Sequence, residues 1–196
     1  MSKMALSAAV PINTDVPLFI GGRFEQSSSD RRGEVFNPST GRVLTRVPLC
    51  TASEIDRAVQ AAYDALSSWS ETPAVERARV MFRFREKLNS RFDELAALVT
   101  REHGKTAAEA RAEMQRGIEM VEFACGIPNL LMGQALENLA TSVDCETSRH
   151  PVGVCVGITP FNFPAMVPLW MFPVSITCGN TFILKPSEKV PLSAMK

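Results

Sequence analysis

Two short runs near the C-terminal end of the sequence hold the residue types best suited to chemistry: Thr159-Pro160-Phe161-Asn162-Phe163 and Lys185-Pro186-Ser187-Glu188. An asparagine amide at the end of a strand can donate a hydrogen bond to an oxygen that becomes negative during a reaction. That role rewards a rigid donor in a water-poor site. Asparagine also starts helices well, so Asn162 could equally serve only as the cap of the helix that follows. Lys185 and Glu188 offer an ammonium and a carboxylate three residues apart, a donor and an acceptor for the vicinal hydroxyls of a ribose. The alternative is a helix start with Glu188 near the positive end of the dipole.

These residues need a scaffold that brings the two runs together. Val152–Ile158 and Thr181–Leu184 read as buried strands, and Pro164–Cys178 between them as a helix. A connection of this length makes the strands parallel with a right-handed crossover, and ligands bind such sheets at the carboxyl ends of the strands. Both runs lie there. No charged residue occurs from Pro151 to Leu184, yet Pro164, Pro168 and Pro173, with Asn162, Thr177 and Asn180, would leave polar groups unpaired in lipid. A buried strand–helix–strand unit is therefore expected rather than a membrane span. The unit lacks a G-x-G-x-x-G turn, so any nucleotide phosphates would be handled differently from the usual dinucleotide fingerprint.

Upstream, Leu18–Ile20 before Gly21-Gly22, and Glu34–Phe36 separated from Val43-Leu44 by a Pro- and Gly-containing turn, predict two small hairpins. Thr51 and Glu54 have capping-box spacing ahead of Ile55, Ala58, Ala62, Leu66 and Trp69, which recur at helical intervals. Thr72-Pro73 reads as an N-cap with a first-turn proline for a second helix. A third runs from Ser90 to His103 and ends at Gly104, a residue suited to the left-handed conformation. A fourth begins near Thr106 and either ends around Gly126–Pro128 or restarts briefly over Leu130–Leu136. Ser142–Ser148 alternates without a helical period, as expected of an extended arm that pairs with another subunit. Ser27-Ser28-Ser29 reads as loop.

The chain of 196 residues balances 21 Lys+Arg against 21 Asp+Glu and is 45% hydrophobic. Such neutrality gives no electrostatic footprint for nucleic acid or an anionic membrane, and points to small molecules and other subunits as partners. Cys50, Cys125, Cys145, Cys155 and Cys178 form no C-x-x-C pair and have no histidine at metal spacing, so no metal site is expected. Free thiols suit a reducing, cytoplasmic compartment. Met1–Val10 reads as a loose tail rather than a secretory signal.

The run Gly157–Pro164, followed by Cys178–Glu188, closely resembles the catalytic-asparagine loop and the ribose-binding Lys/Glu strand of the aldehyde dehydrogenase superfamily. Phe19–Gly22, Phe36–Gly41, Glu102–Lys105 and Arg149–Gly153 also resemble that superfamily, so the likeness covers almost the whole chain. Phe161 before Asn162, Leu169–Pro173, Arg116–Phe123 and Leu130–Gly133 are similar to its methylmalonate-semialdehyde branch. The resemblance implies an α/β fold: an incomplete Rossmann-like NAD-binding domain over 1–137 and 150–196, with an oligomerisation arm at 138–149.

It further implies that Asn162 is the oxyanion donor, and that Thr159, Phe161, Lys185, Glu188 and Lys189 contact the adenosine half of NAD. Arg116 would bind the substrate carboxylate, a task that suits a guanidinium fork. Its bland alternative is a solvated ion pair with Glu113 or Glu119. The implied reaction oxidises malonate or methylmalonate semialdehyde to acetyl-CoA or propanoyl-CoA, with coenzyme A as acyl acceptor, in a homo-oligomer. The family's nucleophilic cysteine and catalytic domain lie downstream of anything matched here, so this chain is expected to be an inactive N-terminal fragment. A hydrolytic semialdehyde dehydrogenase and a non-catalytic dinucleotide-binding or interaction module are the competing readings.

Overall fold

The structure, a computed structural model, describes residues 15–196; the tail expected at Met1–Val10 lies outside them. Strand β1 (Leu18–Ile20) pairs antiparallel with β2 (Arg23–Glu25), and β3 (Arg32–Asn37) with β4 (Arg42–Pro48). Both hairpins follow the turn chemistry of the sequence. Helix α1 (Ala52–Ser70) opens with the expected capping box. Glu54 takes the Thr51 amide at 2.8 Å and, from its other oxygen, the Ser28 amide at 2.7 Å, so it ties the serine loop to the helix start.

Helix α2 (Ala74–Ser90) starts one residue later than expected, with Pro73 at the cap position and no side-chain cap. Thr72 instead donates its hydroxyl to the Ser68 carbonyl, and its own carbonyl accepts from Arg77. Helix α3 (Phe92–His103) ends at Gly104, whose φ of 86° and close approach to Pro38 both exclude a side chain. Helix α4 (Ala107–Cys125) is followed directly by α5 (Ile127–Leu130). The alternative of a helix restart at Leu130–Leu136 is thus misplaced: Pro128 fits the first turn of α5, and Ala135 already belongs to a strand. That strand, β5 (Ala135–Ala140), pairs antiparallel with β6 (Val143–Glu146) in a hairpin exposed along its length.

The core forms around α4, which packs against α2, α3 and α6 (Met166–Thr177). Val99, Ala110, Met114, Ile118, Val121 and Leu169 are its buried center. α4 and α6 approach closely at Gly117, where a Cβ would come within 2.6 Å of the Leu169 side chain. β7 (Val154–Ile158) and β8 (Thr181–Lys185) are parallel, as the β-α-β reading requires, and α1 and α6 both pack against them. β7 begins two residues late because the Val152 and Gly153 amides bond to Asn180 Oδ1 rather than to a strand. The expectation of fully buried strands is not met among the described residues: Val156 is 60% and Ile158 70% exposed, with no described residues layered over those side chains. No helix among the described residues is long and apolar enough to cross a membrane.

The Glu54 carboxyl is 3% exposed and is held down to about 2, first by the Thr51 amide and also by that of Ser28. A carboxyl lowered from its ordinary 4.5 contributes stability that is complete above that value and is lost as pH falls through the folded one. Glu54→Gln should therefore lower stability at neutral pH by about 1–3 kcal/mol and flatten the fall in melting temperature between about pH 5 and 2. Parallel melting profiles for the two proteins across that range would contradict this role.

Candidate functional site

The two runs singled out in the sequence meet at the carboxyl ends of β7 and β8. The Thr159 amide donates to the Lys185 carbonyl at 3.1 Å, which extends the parallel pairing one step beyond the strands, and Thr159 is buried. Lys185 Nζ lies 3.0 Å from Glu188 Oε2, with both side chains about half exposed. The Glu188 carboxyl is held below its ordinary range by a hydrogen bond from its own backbone amide and by Lys185. Lys189 Nζ sits 4.9 Å from the center of the Phe161 ring. Direct contacts thus link Thr159, Lys185 and Glu188 in one group and Phe161 and Lys189 in another.

The alternative for Glu188 does not hold, because residues 188–190 form a turn and α7 (Leu192–Met195) starts later. Nor does Asn162 cap the helix that follows. Helix α6 has an alanine, Ala165, at its cap position with no side-chain hydrogen bond, while Asn162 is exposed four residues before the helix begins at Met166. The cap comes from another helix. Glu113 Oε1 accepts the amides of Ala165 at 2.9 Å and Met166 at 3.2 Å. A carboxylate there balances the positive end of the helix dipole and satisfies two otherwise orphaned amides.

Glu113 is 2% exposed, and its second oxygen takes Lys105 Nζ at 2.5 Å. The same ammonium donates to the Asn162 carbonyl at 2.7 Å and lies 3.9 Å above the Phe163 ring. Glu113 is therefore paired with Lys105, and the alternative surface pair with Arg116 does not form. Arg116 is exposed, makes no ion pair among the described residues, and contributes its carbonyl to the Trp170 indole at 3.4 Å. It lies one turn beyond Glu113 on α4, outside the contacts that join the strand ends.

A second buried carboxylate, Glu102, does the same for the last helix. It accepts the Leu192 amide at 2.7 Å and the Ser193 amide at 2.8 Å, and burial raises its carboxyl above the ordinary range. Periodicity missed Lys105, Glu102 and Glu113 because a buried charge on a helix leaves no apolar mark. The available signal was the Glu102-His103-Gly104-Lys105 run, which ends one helix and places two of these charges at the turn.

All five cysteines are free. Burial pushes the thiols of Cys50, Cys125 and Cys178 up, away from the thiolate form that attacks carbonyls. Among the described residues no cluster of His, Cys, Asp and Glu could hold a metal ion.

A model of the aldehyde dehydrogenase family matches residues 24–196, and the chain belongs to that family. Within it, the sequence is similar to malonate- and methylmalonate-semialdehyde dehydrogenases. It is 53% identical over 191 residues to malonate-semialdehyde dehydrogenase 1 of Geobacillus kaustophilus, covering 97% of this chain and 39% of that protein. The crystal structure of methylmalonate-semialdehyde dehydrogenase from Oceanimonas doudoroffii superposes with a TM-score of 0.90 at 47% identity, over 93% of this chain and 37% of that one. A candidate methylmalonate-semialdehyde dehydrogenase from Sinorhizobium meliloti, complexed with NAD, gives 0.89 at 42% identity over 92% and 37%. The chain therefore spans under two-fifths of the length of these relatives.

Removing the Glu113 carboxylate leaves a buried ammonium and two helix-start amides without their acceptor. Glu113→Ala should cost about 3–5 kcal/mol in chemical denaturation. Glu113→Gln keeps an acceptor for the amides and should cost less. Losses below about 1 kcal/mol in both variants would contradict a buried cap.

Proposed function

We propose that this chain is the dinucleotide-binding part of an NAD-dependent, CoA-acylating oxidoreductase that converts malonate or methylmalonate semialdehyde to acetyl-CoA or propanoyl-CoA. The observation that carries the reading is the joined set Thr159–Lys185–Glu188 and Phe161–Lys189 at the carboxyl end of a parallel strand pair. That is where open α/β sheets take their ligands. The likeness to a protein complexed with NAD supports the choice of cofactor.

The residues fit the cofactor. Glu188 is ionised and half exposed, so it can accept from ribose hydroxyls, and Lys185 beside it can donate to them. Thr159, Phe161 and Lys189 complete the adenosine contacts. Bound NAD would supply the hydride acceptor. Asn162 would donate its side-chain amide to the oxyanion formed when a thiolate adds to the aldehyde; such a donor is worth about 3–4 kcal/mol of barrier where water is excluded. Its free side chain and its place at the strand end support that role.

Arg116, with no carboxylate partner among the described residues, would take the carboxylate of the substrate. Coenzyme A would accept the acyl group. The attacking thiolate belongs to none of the five cysteines described above, three of which are held in the thiol form. The exposed β5–β6 hairpin leaves two strand edges to pair, which supports assembly with further copies. Unpaired thiols support a cytoplasmic setting.

Glu188 also predicts cofactor choice, because a carboxylate at the ribose hydroxyls would face the added phosphate of NADP. Calorimetric titration of the chain should favour NAD over NADP by roughly ten- to a hundredfold. Glu188→Gln should narrow that ratio, and Lys185→Ala should weaken both cofactors. An unchanged ratio in Glu188→Gln would remove Glu188 from the ribose site.

A further inference from the structure

Asn162 lies in a loop bounded by Pro160 and Pro164, whose rings fix the backbone at either end and remove two amide donors. Between them, the Phe163 carbonyl accepts from Val167 at 3.3 Å, the first link into α6. Asn162 itself has a single hydrogen bond among the described residues, from Lys105 Nζ to its carbonyl at 2.7 Å. Its side chain is left free, and its peptide is anchored only by that ammonium.

Lys105 is built to hold one place. It follows Gly104, whose left-handed turn ends α3 and redirects the chain, and it precedes the capping box of α4 at Thr106. The side chain is 14% exposed and clamped on three sides: the Glu113 carboxylate at 2.5 Å, the Asn162 carbonyl at 2.7 Å and the Phe163 ring at 3.9 Å. An ammonium has three donors and no acceptor, and a cation over a ring face is attracted to it. Balancing the Glu113 charge uses one of those contacts. The other two both fall on the loop.

We propose that Lys105 is a positioning residue for Asn162: by holding the Asn162 carbonyl and the Phe163 ring, it fixes the point from which the Asn162 amide is presented. The proposal rests on the reading of Asn162 as an oxyanion donor, because a donor of that kind works only if its place is set before charge develops. Glu113 acts one step back. It anchors Lys105 with one oxygen and the start of α6 with the other, so both ends of the Asn162–Met166 segment are referred to the same buried carboxylate.

Lys105→Met alone strands the buried Glu113 carboxylate and can fail to fold, so the deciding variant is the charge-balanced Lys105→Met/Glu113→Gln. Nitrogen-15 relaxation of the 196-residue chain reads the result directly, at the backbone amides of Asn162 and Phe163 and at the side-chain amide of Asn162. In the unaltered chain and in Glu113→Gln, where Lys105 still meets the carbonyl, order parameters at the two backbone amides should be near the rigid value of about 0.85. In the double variant they should fall below about 0.6 while the interiors of α4 and α6 stay rigid, and the Asn162 side-chain amide should lose order with them. A double variant as rigid at Asn162 as the unaltered chain would overturn the proposal, since Lys105 would then only neutralise Glu113. NAD titrated in parallel reads the cofactor assignment and not the loop, so the two fail separately.

Discussion

A glutamate at 2% exposure in the middle of a helix is the constraint around which this structure is arranged. Burying a carboxylate is tolerable only where it is paired and hydrogen-bonded. Glu113 meets that condition with one ammonium and two amides that belong to different parts of the chain. The ammonium comes from the α3–α4 junction and the amides from the first turn of α6. The compensation for one buried charge thus joins three segments and fixes how α6 enters the core beside α4, where Gly117 admits Leu169.

The arrangement at the strand ends follows from this. α6 starts at a defined point because its orphan amides are taken, and the loop before it is held by the same Lys105 that balances the carboxylate. On the other side, Thr159 continues the β7–β8 pairing and Lys189 lies against Phe161. A charged, half-exposed Lys185–Glu188 pair is left facing outward beside a loop whose asparagine amide is unengaged. Charges that are buried here organise the backbone, and charges that are exposed are free to meet a ligand.

Much of the fold was legible because its signals are local. The capping box at Thr51 and Glu54, the left-handed Gly104 and the apolar strand–helix–strand run each follow from one stretch of sequence. The failures share a cause. The cap of α6 was assigned to Asn162 as one possibility because sequence neighbours were the only partners in view, whereas the actual cap lies about fifty residues upstream. A pair of Glu113 with Arg116 was an alternative for the same reason, whereas its partner Lys105 sits just before α4, about two helical turns upstream. The burial of Val156 and Ile158 was over-read because apolar strands imply a covering layer that the described residues do not supply. The residues proposed for the nucleotide come from the resemblance to a known family rather than from spacing alone; the Lys105–Glu113 contacts behind them leave no periodic trace.

Native-state hydrogen exchange at the Ala165 and Met166 amides is the most direct measure of whether Glu113 holds the start of α6. First-turn amides without a partner exchange readily, while amides in a stable cap open only with the surrounding structure. Protection at both should match that of the α4 interior in the unaltered chain, and should fall at least about tenfold in Glu113→Ala while the α4 interior stays protected. Protection at Ala165 and Met166 that is the same with and without the carboxylate would contradict the account.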